Sequence, residues 1–302
     1  MYKRVSTALN NSAALITLRL ATIVLLGSLA WLKYADVQST ALQIDLGFLL
    51  PILIVGILTL VNLATEALKY QTLFGKKEMD FDRSFKSILA GMSVGIWTPN
   101  RAGEFIGRLE YVSKEKRNDS IVATLAGSAI QGVVTLFMGA IGFAFFKFPI
   151  QINLPIYSTV FIGLLIIAAS YAIFRTGPLR RFREKHVNVA PNRVFVASVF
   201  AFLRYLIFTS QFVILLNSFG FQGDFFQAYF GVFVLYVVQT YMPGSLLSEL
   251  GVREVLSIFL FAAFFENEMG AVMAAFCLWL LNIGFPIASW SLYGALKRVE
   301  LN

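Results

Sequence analysis

Arg101, Glu104 and Arg108 follow a proline, Pro99, just beyond the apolar run from Ile88 to Trp97. Charges at that place need a reason, because an Arg or Glu at membrane depth costs roughly 2.5 to 3.5 kcal/mol on insertion scales. Left unpaired, the three together would cost on the order of 8 to 10 kcal/mol. That rivals the whole stability of a typical fold, about 5 to 15 kcal/mol. They must pair, face an aqueous cavity or hold a polar ligand. A second stretch repeats the pattern: Pro243, Gly244 and Ser245 follow the apolar run from Tyr229 to Tyr241 and precede Glu249, Arg253 and Glu254. In both stretches a Glu stands four residues before an Arg, Glu104 with Arg108 and Glu249 with Arg253. On a helix that spacing puts both on one face, in the favoured order for an ion pair. Solvated pairs at two ordinary helix ends are the plainer reading of either stretch alone; their recurrence, one in each half, favours a built site.

The chemistry open to such a site is anion binding. Asn100 or Thr98 can cap a helix that begins after Pro99, and Ser245 one that begins after Pro243. A helix start exposes free N–H groups and a positive dipole end, which favour an anion such as phosphate. Arg101 can grip two phosphate oxygens with its planar fork. Glu104 and Glu249 can hold these arginines, bind a cationic headgroup or take up protons; the residues alone leave those roles open. Arg204 lies deep in an apolar run and is a further candidate for the cavity wall. Gln131, Gln211 and Asn282 are explained as readily by hydrogen bonds between helices, and Glu66 reads equally as an interfacial acid. A single histidine, His186, and a single cysteine, Cys277, argue against a histidine-based centre and exclude an intrachain disulfide. No metal or cofactor is expected, and neither a metal cluster nor a nucleophile–histidine set supports an enzyme.

The elements that must position these residues are membrane helices. The chain of 302 residues is 58% hydrophobic and 15% aromatic, with a mean hydropathy of +0.73 and several apolar runs near the 20 residues that cross a bilayer. The fold class is therefore an all-α polytopic membrane protein, with 1–302 as a single membrane domain. Spans are expected near 15–34, 46–68, 121–146, 155–174, 194–217 and 269–292. The formal charge of +8 reads as topology rather than nucleic-acid binding, since Lys and Arg gather between the runs. Lys69, Lys76, Lys77, Arg83 and Lys86 form one basic loop, and Arg175, Arg180, Arg181, Arg183, Lys185 and Arg193 another. Both should face the cytosol, as should the two termini of a protein of the cell (inner) membrane.

Two segments do not fit plain spans. Ser84 to Trp97 would give about 21 Å of helix against a hydrocarbon core of about 30 Å, and basic residues flank it on both sides. It reads as a re-entrant helical hairpin that enters and leaves on the cytosolic side. Phe225 to Phe265, with no Lys or Arg at its ends, reads as a second hairpin on the outer face. Six spanning helices plus two re-entrant hairpins make two inverted halves, approximately 1–150 and 151–302, a recurring transporter plan. Eight plain spanning helices are the alternative.

Pro99-Asn100-Arg101-Ala102-Gly103-Glu104 with Arg108, and Pro243-Gly244 through Gly251-Val252-Arg253-Glu254, resemble the signatures of the lysylphosphatidylglycerol synthase transmembrane region family. The resemblance covers nearly the whole chain. It implies translocation of a lipid or handling of its headgroup, and it places Arg101, Glu104, Arg108, Arg253 and Glu254 at motif positions that line the site. Two departures stand out. The chain stops at Asn302 without the soluble aminoacyl-transferring domain of the bifunctional members, so synthase activity is not expected; and Gly244-Ser245-Leu246-Leu247-Ser248-Glu249 stands where a more glycine-rich run is usual. The expectation is a flippase moving a phospholipid or a polyprenyl-phosphate-linked lipid between leaflets, with membrane lipids of anionic phosphate headgroup as partners. A membrane-embedded enzyme acting on a lipid-linked phosphate or sugar, and a small-solute transporter, are the alternatives.

Overall fold

The computed structural model describes residues 46–98, 101–148, 190–241 and 248–299, with Val24 and Ser28 besides. Apart from Val24 and Ser28, the span expected near 15–34 lies outside the described residues, as do the span near 155–174 and the candidate residues Asn100 and Ser245. Among the described residues every regular element is helical, as a chain must be where the solvent cannot satisfy backbone N–H and C=O groups.

A short 3-10 turn, Leu46–Phe48, leads into α1 (Leu49–Phe74). The carboxylate of Asp80 accepts the Arg83 N–H at 2.8 Å and so caps α2 (Phe81–Gly95). Next come the six-residue α3 (Gly103–Arg108), prolonged by a 3-10 turn over Leu109–Tyr111, and α4 (Arg117–Phe145). The second half holds α5 (Pro191–Ser218), which starts on a proline, α6 (Phe225–Tyr241) and α7 (Ser248–Phe261). The chain finishes with α8 (Met269–Trp279), which runs through a π-helical turn at Leu280–Gly284 into α9 (Phe285–Val299).

Among the described residues, four stretches are long and apolar enough to cross a membrane: Leu49–Phe74, Lys114–Phe145, Pro191–Ser218 and Met269–Gly294. They coincide with the expected spans near 46–68, 121–146, 194–217 and 269–292. One boundary is corrected. Lys69 does not belong to the loop after the span but to α1, which continues to Phe74, and it is buried. α6 is apolar but shorter, with 17 residues, about 25 Å of helix.

Helix α1 is the axis of the bundle and packs most extensively against α5. Its outward face shows Leu49, Leu50, Leu53, Ile57 and Leu60, apolar residues at helical spacing that suit hydrocarbon. The opposite face buries Asn62, Glu66, Lys69 and Tyr70. Polar side chains fasten that face to its neighbours. Gln211 of α5 donates to the Val55 carbonyl and to Thr59 Oγ1, both at 2.9 Å, and Asn62 donates to Asn282 in the π-helical turn at 3.0 Å. This is the helix-to-helix bonding expected of Gln211 and Asn282.

Helices α2 and α3 fold back on each other, and glycine sets how closely. A Cβ on Gly103 would stand 2.5 Å from the Val94 carbonyl oxygen, and one on Gly107 2.3 Å from that of Ala90. The pairing of 94 with 103 and of 90 with 107 defines an antiparallel register. Small residues at a four-residue interval allow such backbone contact between helices in a membrane. Ser84 ties the unit to the axis by donating to the Ala67 carbonyl at 2.8 Å.

Candidate functional site

The α2–α3 unit, together with the inner faces of α1, α4 and α5, encloses a cluster of charges centred on Glu66. Lys69 Nζ lies 2.6 Å from Glu66 Oε2, one turn along α1. Arg204 Nε approaches the same oxygen at 3.4 Å, and Arg108 Nη2 lies 3.5 Å from Glu66 Oε1. Gln131 of α4 bridges the cations, its Oε1 at 3.5 Å from Lys69 Nζ and 3.4 Å from Arg204 Nη1. Gln131 is the central residue of α4 and Arg204 stands at the centre of α5, so this polar cluster sits near mid-depth of two membrane-length helices.

From Glu66 the charges continue toward the turn between α2 and α3. Arg108 Nη2 is 3.7 Å from Glu104 Oε2, and its guanidinium lies over the Tyr70 ring, 5.0 Å from the centroid, a cation–π contact. Glu104 Oε1 takes a much shorter bond, 2.7 Å, from Arg101 Nε. Arg101 Nη1 then reaches Glu249 Oε1 of α7 at 3.9 Å. Among the described residues two ion pairs thus join the halves of the chain, Arg204 with Glu66 and Arg101 with Glu249, beside the hydrogen bonds made by Gln131, Gln211 and Asn62.

The backbone at this turn is shaped for its task. Thr98 Oγ1 accepts the Gly103 N–H at 2.7 Å, as expected of one of the two candidate caps, so the first donor of α3 is already used. With only six residues, α3 leaves anion binding to the side chains. Arg101 has φ of 56°, a left-handed conformation rarely adopted by residues with a Cβ. Strain of this kind persists where surrounding contacts overdetermine it, and the contacts with Glu104 and Glu249 are such constraints.

In the second motif the structure differs from the expected ion pair. Glu249 turns to Arg101, and Arg253 donates from Nε to Gln239 Oε1 of α6 at 3.4 Å. The Arg253 guanidinium also covers the Phe208 ring at 5.5 Å. Arg253 is 2% exposed, and among the described residues it has no carboxylate within ion-pair distance. Its Nη1, like Nε of Arg108, is buried with no hydrogen-bond partner. Glu254 follows on α7, half-buried. The Glu104–Arg108 pair does form, though as the weaker of Glu104's two contacts. Geometry therefore brings Arg101, Glu104, Arg108, Arg204 and Glu249 into one network and sets Arg253 behind it.

Sequence reasoning did not single out the centre of this network. Glu66 read equally as an interfacial acid and as a site residue, and Lys69 looked like a loop residue. The available signal was their spacing of three within an apolar helix, which makes them neighbours, in a span where unpaired charge is costly. Among the described residues no group of three or more His, Cys, Asp and Glu is arranged to hold a metal ion.

What the arrangement can do is receive negative charge. Among the described residues, ion pairs join four cations, Lys69, Arg101, Arg108 and Arg204, to three carboxylates, Glu66, Glu104 and Glu249, and Arg253 and Glu254 of α7 stand outside these pairs. Only Lys69–Glu66 and Arg101–Glu104 are close pairs; the other guanidinium contacts, at 3.4 to 3.9 Å, leave donors free to re-aim. The lysylphosphatidylglycerol synthase TM region family is matched over residues 15–289, and the chain belongs to that family. No curated protein sequence matches it.

Proposed function

We propose that this family member is a lipid transporter that moves a lipid with an anionic phosphate headgroup between the leaflets of the cell membrane. The observation that carries this reading is that two buried guanidinium groups, those of Arg108 and Arg253, keep Nε and Nη1 respectively without a hydrogen-bond partner. A buried charged donor left without an acceptor is costly. A phosphate that reaches these groups in the bilayer removes the cost, and its acyl or prenyl tails stay in the hydrocarbon. Arg108 and Arg204 hold the phosphate, Arg253 closes on it from the second half, and Glu66 and Glu104 keep the guanidinium planes in place.

In this reading α2–α3 and α6–α7 are re-entrant hairpins that enter from opposite faces, and the two halves form an inverted repeat. Both termini face the cytosol. The contacts Arg101–Glu249 and Arg204–Glu66 lie where the halves meet, so exchanging them for bonds to the headgroup lets the halves rock apart.

The test is transbilayer movement of fluorescent phosphatidate and phosphatidylglycerol in proteoliposomes, read by dithionite quenching. Wild-type protein is expected to raise the rate above that of protein-free vesicles, and Arg108→Gln to return it to that baseline while the purified variant keeps its helical circular dichroism. Equal rates with and without wild-type protein would sink the proposal.

A further inference from the structure

Lys69 and Arg204 lean on the same two atoms. Lys69 Nζ lies 2.6 Å from Glu66 Oε2 and 3.5 Å from Gln131 Oε1. Arg204 brings Nε to 3.4 Å from that carboxylate oxygen and Nη1 to 3.4 Å from that amide oxygen. Arg108 takes the other oxygen of Glu66 at 3.5 Å. Two like charges thus share one set of acceptors, a third holds the far side of the carboxylate, and Lys69 is only 2% exposed. We propose that Lys69 gains a proton when the ligand binds and loses it when the ligand leaves: its amine is neutral while the site is empty and protonated while an anionic headgroup lies against Arg204 and Arg108. This inference rests on the anion-binding reading above and adds the coupling ion, one proton that travels with each lipid.

Only one of the three cations on Glu66 can change its charge. A guanidinium stays protonated in a protein, whereas the ammonium of a buried lysine can give up its proton. Lys69 is therefore the group able to relieve the repulsion. Loss of the proton leaves the contact standing, because a neutral amine still donates an N–H to Glu66 Oε2 while the carboxylate keeps Arg108 and Arg204. Two charges then face the carboxylate in place of three. An anionic headgroup that draws Arg108 and Arg204 toward itself reverses the case, since negative charge nearby favours the charged form of an amine. A proton from water bonds to the amine lone pair, and it returns to water when the headgroup departs. The groups that face Lys69 are Glu66 from its own helix, Arg108 from α3, Gln131 from α4 and Arg204 from α5. Tyr70, the next residue, has its hydroxyl engaged with Ser120 Oγ of α4 at 2.7 Å. A proton gained on binding at one face and lost on release at the other moves in the same direction as the lipid.

The experiment measures binding of dioctanoyl phosphatidylglycerol to the purified full chain in detergent by isothermal titration calorimetry. A phosphodiester keeps a single charge from pH 6 to 9, so every proton taken up belongs to the protein. Titrations across that range, each in two buffers of different ionisation enthalpy, give the number of protons bound with the lipid. The expected uptake rises with pH to about one proton at its maximum, and Kd grows there by up to about tenfold per pH unit. Lys69→Arg, which cannot shed its charge, and Lys69→Met, which cannot gain one, are expected to bind without proton uptake and with a Kd independent of pH, the Met variant more weakly. Binding by wild type without proton uptake overturns the coupled proton and leaves the lipid reading standing. Uptake that persists in both variants overturns Lys69 as its seat. Dimethyl phosphate, a diester without tails, bound as tightly as the lipid and with the same uptake identifies a soluble anion as the ligand; the inference on the proton then holds and the lipid reading falls. No binding by either probe overturns both.

Discussion

Arg101 Nη1 stands 3.9 Å from Glu249 Oε1, joining the turn after α2 to the first turn of α7 across the two halves of the chain. The contact is long and its arginine partly exposed, so it resembles a latch more than a clasp. A pair of this kind is worth about 1 kcal/mol or less. A double-mutant cycle of Arg101→Ala and Glu249→Ala, read by thermal unfolding in detergent, is expected to give a coupling no larger than that. A coupling above about 2 kcal/mol would mean that the halves are locked together, and rocking about this contact would be untenable.

Glu66 is the opposite case, since Lys69, Arg108 and Arg204 all converge on its carboxylate. Removing one partner of a buried ion pair costs about 3 to 5 kcal/mol, and Glu66→Gln leaves three cations facing one another. A marked fall in unfolding temperature is expected, and the double variant Glu66→Gln with Lys69→Met should recover part of it. An unchanged melting temperature for Glu66→Gln would show that water, not the carboxylate, satisfies these cations.

Close helix contact makes a sharp steric prediction. Gly107→Ala puts a methyl where the Ala90 carbonyl oxygen lies 2.3 Å away, and overpacking of this kind costs about 1 to 3 kcal/mol. Gly56 of α1 has nothing within 4 Å of an added Cβ, so Gly56→Ala should be neutral or stabilise by up to about 1 kcal/mol through helix propensity. Thermal unfolding of both variants provides the comparison. If Gly107→Ala is as harmless as Gly56→Ala, α2 and α3 are not in backbone contact.

Gln211 of α5 donates to two acceptors on α1. Hydrogen bonds between membrane helices average about 0.6 and reach about 1.7 kcal/mol. Gln211→Leu is expected to destabilise within that range and to leave lipid binding intact, because Gln211 makes its bonds on α1 at Val55 and Thr59, away from the guanidinium cluster. A loss of lipid binding with normal stability would instead place Gln211 in the site.

Topology can be read by labelling. In a Cys277→Ser background, cysteines at Lys116 and Glu268 are expected to react with a membrane-impermeant maleimide from opposite sides of sealed vesicles. Reaction of both from one side would exclude the inverted arrangement and the positions proposed for the two hairpins.

Much of this protein was legible in its sequence because the bilayer is an unforgiving solvent. Runs of apolar residues near 20 long must become helices there, and the four described spans coincide with those runs. Charge is costly enough at depth that Arg101, Glu104, Arg108, Glu249 and Arg253 marked themselves, and Thr98 was identifiable as a cap. The partners were not legible. Glu104 binds Arg101 in preference to Arg108, and Glu249 leaves Arg253 for an arginine nearly 150 positions earlier in the chain. Spacing along one helix says which side chains share a face, whereas ion pairing in a bundle depends on what the neighbouring helices bring to that face. Glu66 shows this most clearly: its local sequence suits an interfacial acid as well as a site residue, and only the convergence of α1, α3 and α5 makes it the carboxylate that three cations share.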